Sequence, residues 1–203
     1  MTSEIKTADI TGLILAGGQG SRMGGCDKGL ILFEGKPLFL HALERLQPQV
    51  GKLIINANRN TEIYAGFDYP VVADVPNAQQ EAFAGPLAGL LAGLRACTTD
   101  WLATVPCDSP AFPADLVACL SDAASANPCA HLIVARTPVQ THPVFMLVHR
   151  DMQQQLAAFL DSGERKLGFW QKQNGAVMVE FPDEAAFANL NTPDELAALE
   201  NPT

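Results

Sequence analysis

Short stretches that are apolar at nearly every position, not at alternate ones, punctuate this chain: Thr11 to Ala16, Lys52 to Asn56, Pro70 to Asp74, Trp101 to Val105, His131 to Ala135, Val144 to Val148 and Ala176 to Phe181. A strand with one face in water alternates, whereas a strand covered on both faces has no reason to. Between these runs lie segments with helical spacing, Phe39, Ala42, Leu43 and Leu46 in one and Leu87, Leu90, Leu91 and Leu94 in another. Pro86 suits the first position of the second. The alternation predicts an α/β fold, doubly wound, with a mostly parallel sheet and helices on both faces. Near the end, Thr192, Pro193, Asp194 and Glu195 fit a capping box that opens a last helix.

At 203 residues, 48% of them hydrophobic, folding buries roughly 70% of the unfolded surface. A core of that size needs neither disulfides nor a structural metal. No repeat, low-complexity tract or charge block divides the chain, so residues 1–203 are expected to form a single domain. The formal charge of -9 argues against a nucleic-acid or membrane-surface partner, because both reward a basic surface. The five cysteines are odd in number, widely spaced and without a C-x-x-C pair, which fits buried small hydrophobes better than zinc or redox chemistry. The opening residues carry Glu4, Lys6 and Asp9 and no apolar signal-type region, so the expected location is cytoplasmic.

Directly after the first apolar run comes Leu15-Ala16-Gly17-Gly18-Gln19-Gly20-Ser21-Arg22-Met23-Gly24-Gly25-Cys26-Asp27-Lys28-Gly29, with six glycines in 15 residues. Glycines let a backbone approach a ligand closely and turn successive N–H groups inward as an anion nest. Arg22 and Lys28 add fixed positive charge. Neither the Walker A pattern nor the dinucleotide fingerprint is present. Residues 15–36 carry a net charge of +1 within a chain of -9, and screening over about 8 Å leaves these nearby cations dominant inside a cleft.

The first four apolar runs end in residues able to recognise or hold something: Gly17, then Asn56 and Asn58, then Asp74, then Asp108 after Val105-Pro106-Cys107. If these strands are parallel, their carboxyl ends share one sheet edge, where open α/β sheets bind ligands. Asp108 follows a wholly apolar run and sits between two prolines. It is a lone carboxylate, sufficient for magnesium on nucleotide phosphates; the alternative is a cap for a helix starting near Pro113. Asp74 reads equally well as a turn former. Asn56 suits a base edge or a ribose, or closes a local turn. Gly85-Pro86-Leu87-Ala88-Gly89 begins a helix whose amides suit a phosphate or purine, although close helix-to-sheet packing explains its small residues equally well. Thr141-His142-Pro143 and Gly163-Glu164-Arg165-Lys166 are candidate grips on a second anionic substrate, or solvated faces. His41, His131 and His149 have no partner at catalytic spacing, and no Ser, His and Asp arrangement stands out.

Taken together, Leu15-Ala-Gly-Gly18, Arg22-Met-Gly-Gly25, Asp27-Lys28-Gly29, Gly35-Lys-Pro-Leu38, Asn56-Ala-Asn58, Gly85-Pro-Leu-Ala-Gly89, Pro106-Cys-Asp108-Ser-Pro110, Gly163-Glu-Arg-Lys166 and Asn189-Leu-Asn-Thr-Pro-Asp-Glu-Leu196 resemble the molybdenum cofactor guanylyltransferases. The glycine-loop pattern is shared with many nucleotidyltransferases; the Asp-Lys-Gly continuation, Asn-Ala-Asn and the C-terminal motif narrow the resemblance to the guanylyl branch. The resemblance implies GTP bound by Leu15, Ala16, Gly17, Lys28, Asn56, Asp74 and Asp108, with Mg²⁺ on Asp108. Arg22, Lys28 and Asp108 would be the catalytic set, with Arg22 and Gly25 in the phosphate loop. The reaction it implies joins GMP to the terminal phosphate of molybdopterin and releases pyrophosphate. Molybdenum-cofactor biosynthesis proteins and target molybdoenzymes are the partners it implies. Glu81-Ala-Phe-Ala and residues Arg136 to Thr141 match no such motif and would face the pterin or a partner.

A cytidylyltransferase acting on molybdopterin, or a sugar-phosphate nucleotidyltransferase, would use the same loop and Asp108. A nucleotide-binding module without chemistry is a further alternative, against which a carboxylate suited to a metal beside a cationic loop argues.

Overall fold

The computed structural model describes residues 4–18, 27–74 and 85–190. Strands β1 (Ile10–Leu15), β2 (Leu32–Phe33), β3 (Lys36–Pro37), β4 (Lys52–Asn56), β5 (Val71–Val72), β6 (Trp101–Pro106), β7 (Leu132–Arg136), β8 (Thr141–His149) and β9 (Val177–Glu180) alternate with helices. These are α1 (Leu38–Leu46), α2 (Thr61–Ala65), α3 (Pro86–Ala96), α4 (Leu116–Ala126), α5 (Gln153–Asp161) and α6 (Leu167–Gln173). The main sheet runs β5-β4-β1-β6-β8-β7-β9, and β2 and β3 form a separate small hairpin.

The apolar runs are strands because both faces of the sheet are covered. Along β1, Ile10 and Ile14 face one core together with Phe39, Ala42, Leu43 and Leu46 of α1 and Leu116, Val117 and Leu120 of α4. Leu13 faces the other core with Leu87, Leu90, Leu91 and Leu94 of α3, Leu156 of α5 and Trp170 of α6. The two-residue period thus alternates between two apolar environments, not between core and water. The doubly wound, mostly parallel architecture expected from the sequence is the one observed.

One strand runs against the others. β8 pairs antiparallel with both β6 and β7, while β1·β4, β1·β6, β4·β5 and β7·β9 are parallel. A parallel return needs a crossover of a dozen or so residues. The link from β7 to β8 is only Thr137 to Gln140, closed by the Thr137 N–H donating to the Gln140 carbonyl at 2.8 Å, so β8 folds back as a hairpin. The third run is shorter than expected, its ladder covering only Val71 and Val72, and the capping box at Thr192 lies outside the described residues. Among the described residues no helix is long and apolar enough to cross a membrane.

Close approach of α3 to the sheet depends on its glycines. A Cβ on Gly93 would lie 2.4 Å from Leu13 Cδ2 and 3.2 Å from Leu102 Cδ2, both on fully buried side chains. Overpacking of this kind costs about 1–3 kcal/mol, against at most about 1 kcal/mol gained in helix propensity. Gly93→Ala therefore lowers the denaturation midpoint, and an unchanged or raised midpoint in chemical denaturation would contradict the packing described.

Candidate active site

The order of the sheet decides where a ligand can sit. From β1 the chain winds outward through β4 to β5, then returns to place β6 on the opposite side of β1. This reversal opens a crevice between the carboxyl ends of β1 and β6. A cavity of about 360 Å³ lies there, lined by Leu15, Ala16, Gly17, Gly18, Lys28, Asn56, Asp74, Gly85, Pro86, Pro106, Cys107, Asp108 and Val144. The described parts of the four strand ends and of the glycine loop thus meet in one place, as their parallel arrangement requires. Arg22 and Gly25, with the rest of the loop from Gln19 to Cys26, lie outside the described residues, as does Glu81-Ala-Phe-Ala.

Backbone hydrogen bonds carry the strands into the cavity wall. The Ala16 N–H donates to the Asn56 carbonyl at 2.8 Å and the Cys107 N–H to the Leu15 carbonyl at 3.1 Å. Beyond them the polar side chains hold one another. Asn56, only 2% exposed, donates its amide to the Asp74 carboxylate at 2.9 Å and to the Val72 carbonyl at 3.2 Å. Asn58 donates to the other oxygen of Asp74 at 2.9 Å and to the Gly17 carbonyl at 3.2 Å, and its own carbonyl accepts the Asp74 N–H at 2.8 Å. Asp74 is therefore a buttress that orders two amides and, through Asn58, the start of the glycine loop. Gly17 has no room for a side chain, since a Cβ would meet Asn58 Nδ2 at 2.7 Å and Asn56 Oδ1 at 2.9 Å.

Lys28 and Asp108 form an ion pair across the cavity, with side chains only 19% and 15% exposed. Asp108 is not a helix cap: α4 starts at Leu116, and its first turn is preceded by Asp115. Next to it, burial first and the Asp108 charge second push the Cys107 thiol far above its ordinary value, so it stays protonated and is no nucleophile. Gly85 takes φ +81° ahead of Pro86, a conformation open to glycine, and both residues line the cavity at the start of α3. Packing accounts for Gly89 instead, where a Cβ would come within 2.3 Å of Asn56 Oδ1.

Asp108, Pro106 and Val144 also line a second cavity, of about 570 Å³, with Gln140, His142, Phe145, Glu184, Phe187 and Asn189. Here His142 has a partner that sequence spacing did not reveal, Glu184, at 3.2 Å, and its ring stacks on Phe187 with centroids 4.4 Å apart. The Thr137 hydroxyl, then the Gln140 amide and His142, hold the Glu184 carboxyl below the usual carboxylate range. Residues 136–141, which fit no motif, thus supply part of this wall. Arg165 and Lys166 line neither cavity; Arg165 is spent on the Leu160 and Glu164 carbonyls. Sequence reasoning also passed over Arg59, which donates to the Gly18 carbonyl at 3.2 Å and whose only signal is its position directly after Asn58.

A nucleotide-sized crevice at the switch point of a doubly wound sheet, lined by Gly17 and Gly18 and by the Lys28–Asp108 pair, defines a nucleotide-handling α/β protein. The sequence matches the MobA-like NTP transferase domain over residues 12–176, and the chain belongs to that family. It is 51% identical to a protein named molybdenum cofactor guanylyltransferase from Ralstonia nicotianae, over 96% of this chain and 98% of that one. It is 49% identical to another of that name from Acidovorax ebreus, over 97% of each. The fold is also that of molybdopterin-guanine dinucleotide biosynthesis protein A from Archaeoglobus fulgidus, with a TM-score of 0.73, 20% identity, and 94% of this chain and 96% of that one covered.

Proposed function

We propose that this chain is a guanylyltransferase that moves GMP from GTP to the terminal phosphate of molybdopterin, forming molybdopterin guanine dinucleotide and releasing pyrophosphate. The observation that carries this reading is that Asp108 lines two adjoining cavities, so a group transferred between two substrates can pass one carboxylate without leaving the protein. Guanine as the base is supported by the name shared by relatives at about half identity over nearly the full chain.

The acceptor phosphate has a second pKa near 6, so at neutral pH it is already largely dianionic and attacks without a general base. That suits a site whose buried thiol is protonated and whose histidine, His142, belongs to the second cavity. The work left to the protein is positioning two polyanions and neutralising charge at the reacting phosphorus. In this reading the backbone of Leu15, Ala16 and Gly17 follows the nucleotide, with Asn56 and Asp74 ordering that wall. Lys28 faces the phosphates, and Arg22, outside the described residues, is the second cation this reading assigns to them. Lys28 and Asp108 neutralise each other in the ion pair, so a nucleotide that draws Lys28 onto its phosphates frees Asp108 for a cation.

Among the described residues no group of three or more potential metal-ligating side chains gathers. Magnesium on nucleotide phosphates needs only one or two protein carboxylates, and Asp108 fits that requirement where Asp74, spent on two amides, does not. Mg²⁺ held by Asp108 would supply further neutralisation of the phosphate charge. The reading takes residues 1–203 as one domain working in the cytoplasm, with molybdenum-cofactor biosynthesis proteins and molybdoenzymes receiving the product.

Pyrophosphate release, measured with Mg²⁺ and molybdopterin as acceptor and with GTP and CTP in separate reactions, tests the assignment. Release with GTP and not CTP is expected. Release with CTP alone would replace the base, and silence with both would refute the transfer.

A further inference from the structure

Asp27 lies next to Lys28, yet its carboxylate does not serve the cavity. One oxygen accepts the Tyr64 hydroxyl at 2.7 Å and the Gly29 N–H at 3.2 Å; the other accepts the Asn60 amide at 3.0 Å. The Gly29 bond makes Asp27 the side-chain cap of the short turn Lys28–Leu30, so the backbone that carries Lys28 is tied to the carboxylate beside it. Tyr64 is fully buried, and its ring meets that of Phe39 edge-on with centroids 4.8 Å apart. Its hydroxyl also fills the space over Gly29, where a Cβ would fall 2.4 Å away. Tyr64 and Asn60 belong to the segment that continues from Asn56 and Asn58, so one stretch of chain braces both the amide wall and the lysine.

From this geometry we infer that Asp27 and Tyr64 form a clamp that positions Lys28 for the nucleotide phosphates, Asp27 holding the turn and Tyr64 holding Asp27. The inference rests on the proposed function, in which Lys28 faces those phosphates. A flexible lysine must be ordered when it binds an anion, and a tethered backbone removes part of that cost beforehand. Burial, then the bond to Asp27, raises the Tyr64 pKa, so the hydroxyl remains a donor at any working pH. Both are positioning residues, since neither lines the cavity.

Tyr64→Phe keeps the buried ring and deletes only the donor, so it separates positioning from folding. GTP affinity, measured by titration calorimetry on the full chain, is expected to fall about ten-fold in Tyr64→Phe, the size of one hydrogen bond to a charged group. Added to Lys28→Ala, the same change is expected to cost less than about two-fold, because a clamp acts only through the lysine it holds. Gly29→Ala, which displaces the hydroxyl, should reproduce the Tyr64→Phe loss and add little to it, since removing the hydroxyl leaves the new Cβ at ordinary contact distances of 3.4 Å. Wild-type affinity in Tyr64→Phe overturns the clamp, and so does a ten-fold loss that persists on top of Lys28→Ala, which would mark Tyr64 as merely structural. Failure of the unmodified protein to bind GTP would instead overturn the proposed function, and the clamp with it.

Discussion

Asp108→Ala lowers turnover by roughly 10²–10³-fold, the range seen when one preorganised electrostatic contact to a reacting group is lost, while GTP binding without magnesium holds or tightens. The two halves of that expectation have one cause. Asp108 contributes nothing attractive to a polyanion directly, and it is ion-paired to Lys28. Removing it takes one carboxylate away from beside a mostly buried ammonium, which favours a phosphate in its place. What is lost is the carboxylate suited to the cation, so the damage falls on kcat and not on affinity. Steady-state kinetics together with calorimetry in EDTA checks both halves. Loss of magnesium-free binding in parallel with kcat would mean that Asp108 shapes the cavity and does not serve the chemistry.

Lys28→Ala is expected to damage both parameters, with GTP affinity falling about ten- to a hundred-fold and kcat by a comparable factor. Lys28 lines the first cavity, and in the proposed reading its charge acts on the phosphates both before and during transfer. The substitution also strands Asp108, 15% exposed, beside the site where phosphates are expected. An uncompensated carboxylate there repels the nucleotide, which makes Lys28→Ala more harmful to binding than loss of the lysine's attraction alone. A double variant lacking both Lys28 and Asp108 should accordingly bind GTP better than Lys28→Ala while remaining inactive. Equal and small effects of the two single changes would count against the assignment of the site.

How far these residues were legible beforehand depends on the range of the interaction that fixes them. The strands were legible because a sheet covered on both faces writes its burial into every position of a short run; Lys52 to Asn56 is a strand at the same bounds. The direction of β8 is set by the length of the Thr137–Gln140 link, a constraint that apolar content does not carry. The meeting of Gly17, Asn56, Asp74 and Asp108 followed from strand ends alone. Their division of labour did not, because it is made of side-chain pairs far apart in the chain. Asp74, equally readable as a turn former, is a buttress because Asn56 and Asn58 reach it from 18 and 16 residues away. Lys28 and Asp108 are separated by 80 residues, and His142 and Glu184 by 42. Asp27 is legible in the sequence only as part of a motif, since nothing in its neighbours reveals that Tyr64, 37 residues on, holds its carboxylate.

A chain that transfers a nucleotidyl group leaves its signature in the fate of the phosphorus atoms of GTP. GTP labelled at the α-phosphorus in one reaction and at the γ-phosphorus in another, incubated with the protein, Mg²⁺ and molybdopterin, should deliver the α label to the pterin product and the γ label to pyrophosphate. Recovery of the γ label in the pterin product or in free orthophosphate would identify a kinase or a hydrolase and contradict the account.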